Sequence, residues 1–240
     1  AVLDWELAHL GDPMEDLAWL SLRAAQETFP DFPARLTEYE HHSGRPVDRD
    51  RLRYHRVFAQ LRVLILRHRA HGQPNPNGDI GNGLLSAGLH RRLFVEALAD
   101  VTGTVLVPPP LPEAPEAPRD WLFEAAIVQL RDIVVPGSAD GLAKSRAKGI
   151  ARVLKYLRNA DRLGTLVAEE DRADLESLLG SPVPSTADGH GQLALCLRSG
   201  DLDDGEVLRV LGRIIARETH LLRPAMGALA DRRHPPLEDS

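Results

Sequence analysis

The run Val2-Leu3-Asp4-Trp5-Glu6 ends an apolar stretch with two carboxylates one residue apart. Side chains alternate between faces along an extended chain, so Asp4 and Glu6 point to the same side. Two carboxylates converging at a strand exit offer hard oxygen ligands of the kind that suit Mg2+. Such a pair also occurs at strand exits that bind nothing, so the spacing alone leaves both readings open. Further on stand Gly11-Asp12-Pro13 and Asp16-Leu17-Ala18. Asp12 suits a helix cap, Pro13 the first helical position, and Glu15 stands three residues after the cap. Asp16 falls within the first turns of that helix and is expected to be a buried structural acceptor.

The other chemistry-bearing side chains read as structural. His41-His42 lies near a helix end, where positive charge is favourable. His68 and His71 share a helix face, but no carboxylate pattern beside them supports zinc. His190 and His220 are isolated, and Cys196 sits in the apolar run Leu193–Leu197, as a buried thiol would. The chain contains no Gly-x-Ser-x-Gly elbow and no Walker lysine loop.

The elements that must position these residues are helical. The pattern predicts a helix from Asp12, with Leu17, Leu20 and Ala24 on one stripe. A short helix over 33–42 should end at Gly44. A long one capped by Asp48 should run to about residue 69, with Tyr54, Phe58, Leu61 and Ile65 as its buried stripe. The breaker-rich 72–79 then precedes a helix over about 80–100. Residues 107–118, VPPPLPEAPEAP, hold six prolines and favour an extended polyproline spacer. Beyond it, helices are predicted over 121–134, from Asp140 to about Leu163, and over 169–179, 190–199 and 203–222. The expected fold is mainly α. It comprises a first unit over 1–106, the linker 107–118 and a separate all-helical unit over 119–240.

Composition narrows the function classes. The net charge is −6 with no basic block, which disfavours binding driven by phosphate neutralisation, so no nucleic-acid partner is expected. The apolar run Val63–Leu66 is flanked by Arg62 and Arg67, far short of a membrane span. The opening AVLDWELAHL has no basic leader and no cleavage site of small residues. One cysteine, Cys196, excludes an intramolecular disulfide framework, and a reducing cytoplasm is the expected setting. Arginine far outnumbers lysine, which occurs at 144, 148 and 155 alone, a composition that points to a GC-rich bacterial genome.

The whole string LDWE, GDP and DLA resembles the aminoglycoside phosphotransferase and choline kinase group. There an apolar strand, D-[WFP]-E and G-D-P-x-x-D-L-A recur at matching spacing. The resemblance implies a protein-kinase-like fold, of which residues 1 to about 103 would be the C-terminal part of the C-lobe. It implies that Asp4 binds the Mg2+ bridging the phosphates of ATP, with Glu6 assisting, and that Asp12 and Asp16 are structural motif positions. Phosphoryl transfer needs that cation to neutralise and position the β- and γ-oxygens. Tyr39, Gly44 and the run Leu52–Phe58 look like the later helices of family members found near acyl-CoA dehydrogenases. In the family these helices wall the acceptor, a small-molecule substrate. Residues 119–240 resemble a helical domain of unknown function that occurs beside such phosphotransferases, through Trp121–Pro136, Arg146–Leu157, Leu175–Gly180 and Leu193–Gly200.

The family's catalytic loop, H-G-D-x-x-x-x-N, belongs about twenty residues before Asp4. That loop, the nucleotide-binding glycines and the phosphate-binding lysine are not in the sequence. The chain opens at Ala1 directly into a strand-like run, and the expectation is that it begins inside the enzyme and is inactive alone. The competing expectation is a non-catalytic helical binding or scaffold protein carrying a kinase-like remnant.

Overall fold

A computed structural model describes residues 9–29, 31–71 and 75–238. They are mainly helical, and among them there is no strand. Helix α1 (Pro13–Gln26) is capped by Asp12, whose Oδ1 accepts from the Met14 amide at 3.0 Å. Helix α2 (Phe32–Ser43) stops at Gly44, which takes the left-handed conformation at φ 66° that glycine adopts without a Cβ penalty. Helix α3 (Arg49–His71) follows, with the Arg51 amide donating to Asp48 Oδ1 at 3.0 Å. Helix α4 (Ile80–Thr102) is capped by Asp79.

The proline-rich run carries no regular structure until residue 118. Helix α5 (Asp120–Gln129) then passes through a π-helical turn, Leu130–Val134, into the stub α6 (Val135–Gly137). Helix α7 (Gly141–Leu179) is one continuous element, although two helices broken after Leu163 are expected from the sequence. Gly164 does not interrupt it, because a single helical glycine costs only about 1 kcal/mol and the flanking Leu163 and Val167 are buried. Helix α8 (Thr186–Ser199) and helix α9 (Asp204–Met226) complete the set, and a 3₁₀ turn, Gly227–Asp231, leads into the C-terminal tail. No described helix is long and apolar enough to cross a membrane.

Helix α4 packs against α3, α7 and α9, and α1 packs against α3. The core crosses the linker. Ala25 of α1 and Leu85, Leu89 and Leu93 of α4 share one cluster with Leu222, Ala225 and Met226 of α9 and with Ala230. Val95 and Ala99 of α4 likewise meet Leu208 of α9. The tail returns to the start of the chain, where Leu237 enters the cluster of Met14, Leu17, Phe32, Leu36 and Leu52. A further cluster, of Leu175, Leu178, Leu193, Val207, Val210 and Ile214, lies wholly beyond the linker.

Helix α3 reverses the expected face. Tyr54, Phe58, Leu61 and Ile65 keep their helical register but point outward, 37–59% exposed. The inward side carries Leu52, Arg56, Ala59 and Gln60. Polar groups can occupy that side because each finds a partner: Arg56 donates to the Pro235 carbonyl at 2.8 Å, and Gln60 joins two histidines.

Helices α4 and α7 touch where two glycines meet. A Cβ on Gly81 would lie 2.4–2.7 Å from backbone atoms of Gly149. Backbone cannot swing aside, so Gly81→Ala is expected to force the helices apart and cost about 1–3 kcal/mol, although alanine favours helix. Gly164→Ala meets nothing within 4 Å and should raise stability by up to about 1 kcal/mol. Urea melts of the two variants check this, and a Gly81→Ala midpoint at or above that of the parent chain would refute the close approach.

Candidate functional site

The string LDWE, GDP and DLA enters the described residues at its second half. Asp4 and Glu6 lie outside them. Asp12 is in view and fully engaged. Its Oδ1 caps α1, and its Oδ2 meets Arg51 at 2.5 Å and His55 Nε2 at 3.3 Å, both from α3. The hydrogen bond from the Met14 amide, aided by His55 and Arg51, outweighs burial and holds the Asp12 carboxyl below its ordinary range. A carboxylate so compensated is a structural anchor that ties the start of α1 to α3.

The other motif carboxylate, Asp16, is exposed on α1 and is not the buried acceptor that the sequence suggests. Its neighbour Glu15 fills that place. Glu15 is 7% exposed and takes Arg62 on Oε1 and His9 on Oε2, the latter at 3.0 Å. Arg62 also lies over the Trp19 ring, 5.8 Å from its centroid. The helical period decides between the two acids: Met14, Leu17 and Ala18 share the buried face, and Glu15 flanks that face while Asp16 does not. Among the described residues, no group of three or more His, Cys, Asp or Glu side chains is arranged to hold a metal ion.

Behind this anchor runs a polar chain that sequence reading missed. Gln26 Nε2 lies 3.0 Å from His90 Nε2, and His90 Nδ1 lies 2.8 Å from Gln60 Oε1. Gln60 Nε2 in turn is 3.2 Å from His234 Nε2, whose Nδ1 is 3.3 Å from Ser21 Oγ. One proton assignment satisfies every link: both histidines are neutral and carry hydrogen on Nδ1, and each Nε2 accepts from a glutamine amide. Burial and the nearby Arg67 push His90 down to about 4. Burial, Arg56 and His90 push His234 down to about 3. Each histidine is one isolated letter in the sequence, and only the return of the tail brings them together.

Arginines fasten the tail along its length. Arg92 donates to the carbonyls of Leu229, Ala230 and Arg232, at 3.2, 2.6 and 2.6 Å. Arg49 reaches the Leu237 carbonyl at 3.3 Å, and Arg53 reaches Glu238 at 2.8 Å. The remaining sequence candidates stay apart. His41 and His42 stack edge to face at the end of α2, and His190 is exposed. His220 lies 3.2 Å from the Pro112 carbonyl, and Cys196 is half-buried.

A scan against protein-family models, a search of curated proteins and a search of solved structures each return no match to this chain.

Proposed function

We propose that the chain is the C-terminal part of an ATP-dependent phosphotransferase acting on a small-molecule hydroxyl, with Asp4 and Glu6 at its Mg2+ and helices α1–α4 closing the C-lobe. The observation that carries the reading is the string LDWE, GDP and DLA, in which several unrelated residue types coincide at one spacing. The local geometry of its second half supports it. Asp12 caps α1 and is clamped by Arg51 and His55, so α1 begins at a fixed point against α3. The outward apolar stripe of α3 supports it as well, since contiguous exposed apolar surface marks a face that meets more protein.

In this reading Mg2+ neutralises the nucleotide phosphates when bound, and this chain contributes Asp4 and Glu6 toward holding it. Asp12 positions that segment without touching the metal. Mg2+-ATP turnover by the intact parent enzyme, with and without Asp4→Asn, tests it. Loss of a charge that holds the metal should cost about 3 kcal/mol of transition-state stabilisation, or about 100-fold in rate. Equal rates would remove Asp4 from the mechanism, and an upstream sequence lacking H-G-D-x-x-x-x-N would remove the enzyme reading.

A second reading, a non-catalytic helical protein that binds a small ligand, is favoured by a cavity of about 450 Å3 between α4, the linker and α9. Turnover by the intact parent separates the two readings.

A further inference from the structure

The cavity lies where Leu106, Pro108 and Leu111 of the linker cross α4 and α9. Its walls are mostly apolar, with Val95 from α4 and Ile215 and Ala216 from α9, and its volume falls in the range of small-molecule sites. The charged groups that line it are Arg92, Arg223 and Arg233 against one acid, Glu96. Arg92 is 5% exposed. Its two terminal nitrogens hold the carbonyls of residues 229, 230 and 232, while its Nε is buried without a hydrogen-bond partner. A buried N–H left unpaired is costly, and an acceptor in the cavity would satisfy it.

We propose that this cavity binds a small organic monocarboxylate, with its apolar body against Leu106, Leu111 and Ile215 and its carboxylate on Arg92. Charge complementarity selects an anion, because three guanidinium groups face one carboxyl. Charge balance selects a singly charged head group. Arg223 is paired with Asp231 at 2.8 Å and Arg233 with Glu96 at 3.0 Å, which leaves Arg92 as the uncompensated cation of the three. A monoanion matches it, and a phosphate dianion would bring an excess negative charge. The inference stands apart from the phosphotransferase reading and does not need Mg2+ or ATP.

Isothermal titration of the full chain with decanoate, decanol and decyl phosphate tests it. Decanoate is expected to bind with one-to-one stoichiometry, at least tenfold more tightly than decanol or decyl phosphate. Arg92→Met should weaken decanoate at least tenfold and leave decanol unchanged. Arg92 also holds the 3₁₀ turn, so Ala216→Phe serves as a second variant that fills the cavity and spares every arginine. It should abolish binding of decanoate and of decanol. Absence of decanoate binding to the parent chain, equal affinity for decanol, tighter binding of decyl phosphate, or full affinity in Ala216→Phe would each overturn the proposal.

Discussion

Arg217→Met is expected to be the most damaging single substitution in the helical half, lowering stability by about 3–5 kcal/mol and the melting temperature by about 10 °C. Arg217 is 1% exposed on α9 and faces α7. Its Nε donates to Asp171 at 2.5 Å, and a terminal nitrogen donates to Asp174. Asp174 has a second partner, since Arg213 grips both its oxygens at 2.8–3.1 Å. Burial raises the Asp174 carboxyl, but Arg213 and Arg217 outweigh it and the group ends below its ordinary range. For Asp171 burial prevails over Arg217, and the carboxyl ends above it.

The two acids therefore respond differently when Arg217 is lost. Asp174 keeps Arg213, while Asp171 becomes a half-buried carboxylate without its cation. The penalty of the single variant comes chiefly from that orphaned charge and not from the pair's own worth. The double variant Arg217→Met with Asp171→Leu should recover most of the loss, because an apolar pair of similar volume replaces both charges. Chemical denaturation of the two singles and the double forms a cycle whose coupling should reach about 2 kcal/mol or more. An Arg217→Met variant within 1 kcal/mol of the parent chain would show that the cluster is dispensable.

The legibility of this fold follows which interactions are local. Helix starts were readable because Asp12, Asp48 and Asp140 each accept an amide from their own helix, two or three residues on. The stop at Gly44 was readable for the same reason. The inward face of α3 was not, because Arg56 and Gln60 owe their burial to Pro235 and His234, more than 170 residues away in sequence. An amphipathic stripe gives the period of a helix, but a polar side can face inward wherever distant groups satisfy it. The proline-rich run reads as a spacer between units, since consecutive prolines cannot continue a helix. Its composition says nothing about whether the helices it joins share a core, and Leu222 packing among Leu85, Leu89 and Leu93 is invisible to any local window. The half of the motif that falls on described residues was legible as a cap. The choice of Glu15 over Asp16 as the buried acid follows the helical period, whereas its partner Arg62 on α3 is not visible locally.

Stability is expected to fall with acid more gently in the parent chain than once Glu96 is replaced, because two sets of groups oppose one another. His90 and His234 are held neutral in the fold, at about 4 and about 3, against an ordinary 6.5. Groups of that kind contribute stability above the unfolded value of about 6.5, and it is lost as pH falls through their folded values. Between pH 6.5 and 4.5 each can lose up to about 3 kcal/mol, at about 1.4 kcal/mol per pH unit. Protonating His234 turns Nε2 into a donor that faces the Gln60 amide. Turning that amide to accept would set its nitrogen against the Nδ1 hydrogen of His90, so the chain cannot adapt at one link alone. Glu96 runs the other way. Burial pushes its carboxyl up to about 7, with the Arg233 ion pair opposing, so it contributes stability below the ordinary 4.5 that is lost as pH rises through 7. Between pH 6.5 and 4.5 the one proton that Glu96 takes up in the fold offsets about one of the two that the buried histidines exclude. Glu96→Gln removes that offset and should raise stability at pH 8 by about 1–3 kcal/mol, leaving a curve that falls continuously with acid below pH 6.5. Amide exchange of residues 232–238 should quicken along that falling limb, since His234 and Arg56 hold the tail. Urea midpoints of both proteins from pH 4.5 to 8, with proton NMR titration of the two imidazoles, decide the matter. Parallel curves for parent and variant, or imidazoles titrating near 6.5, would mean that the buried polar chain does not set the acid response.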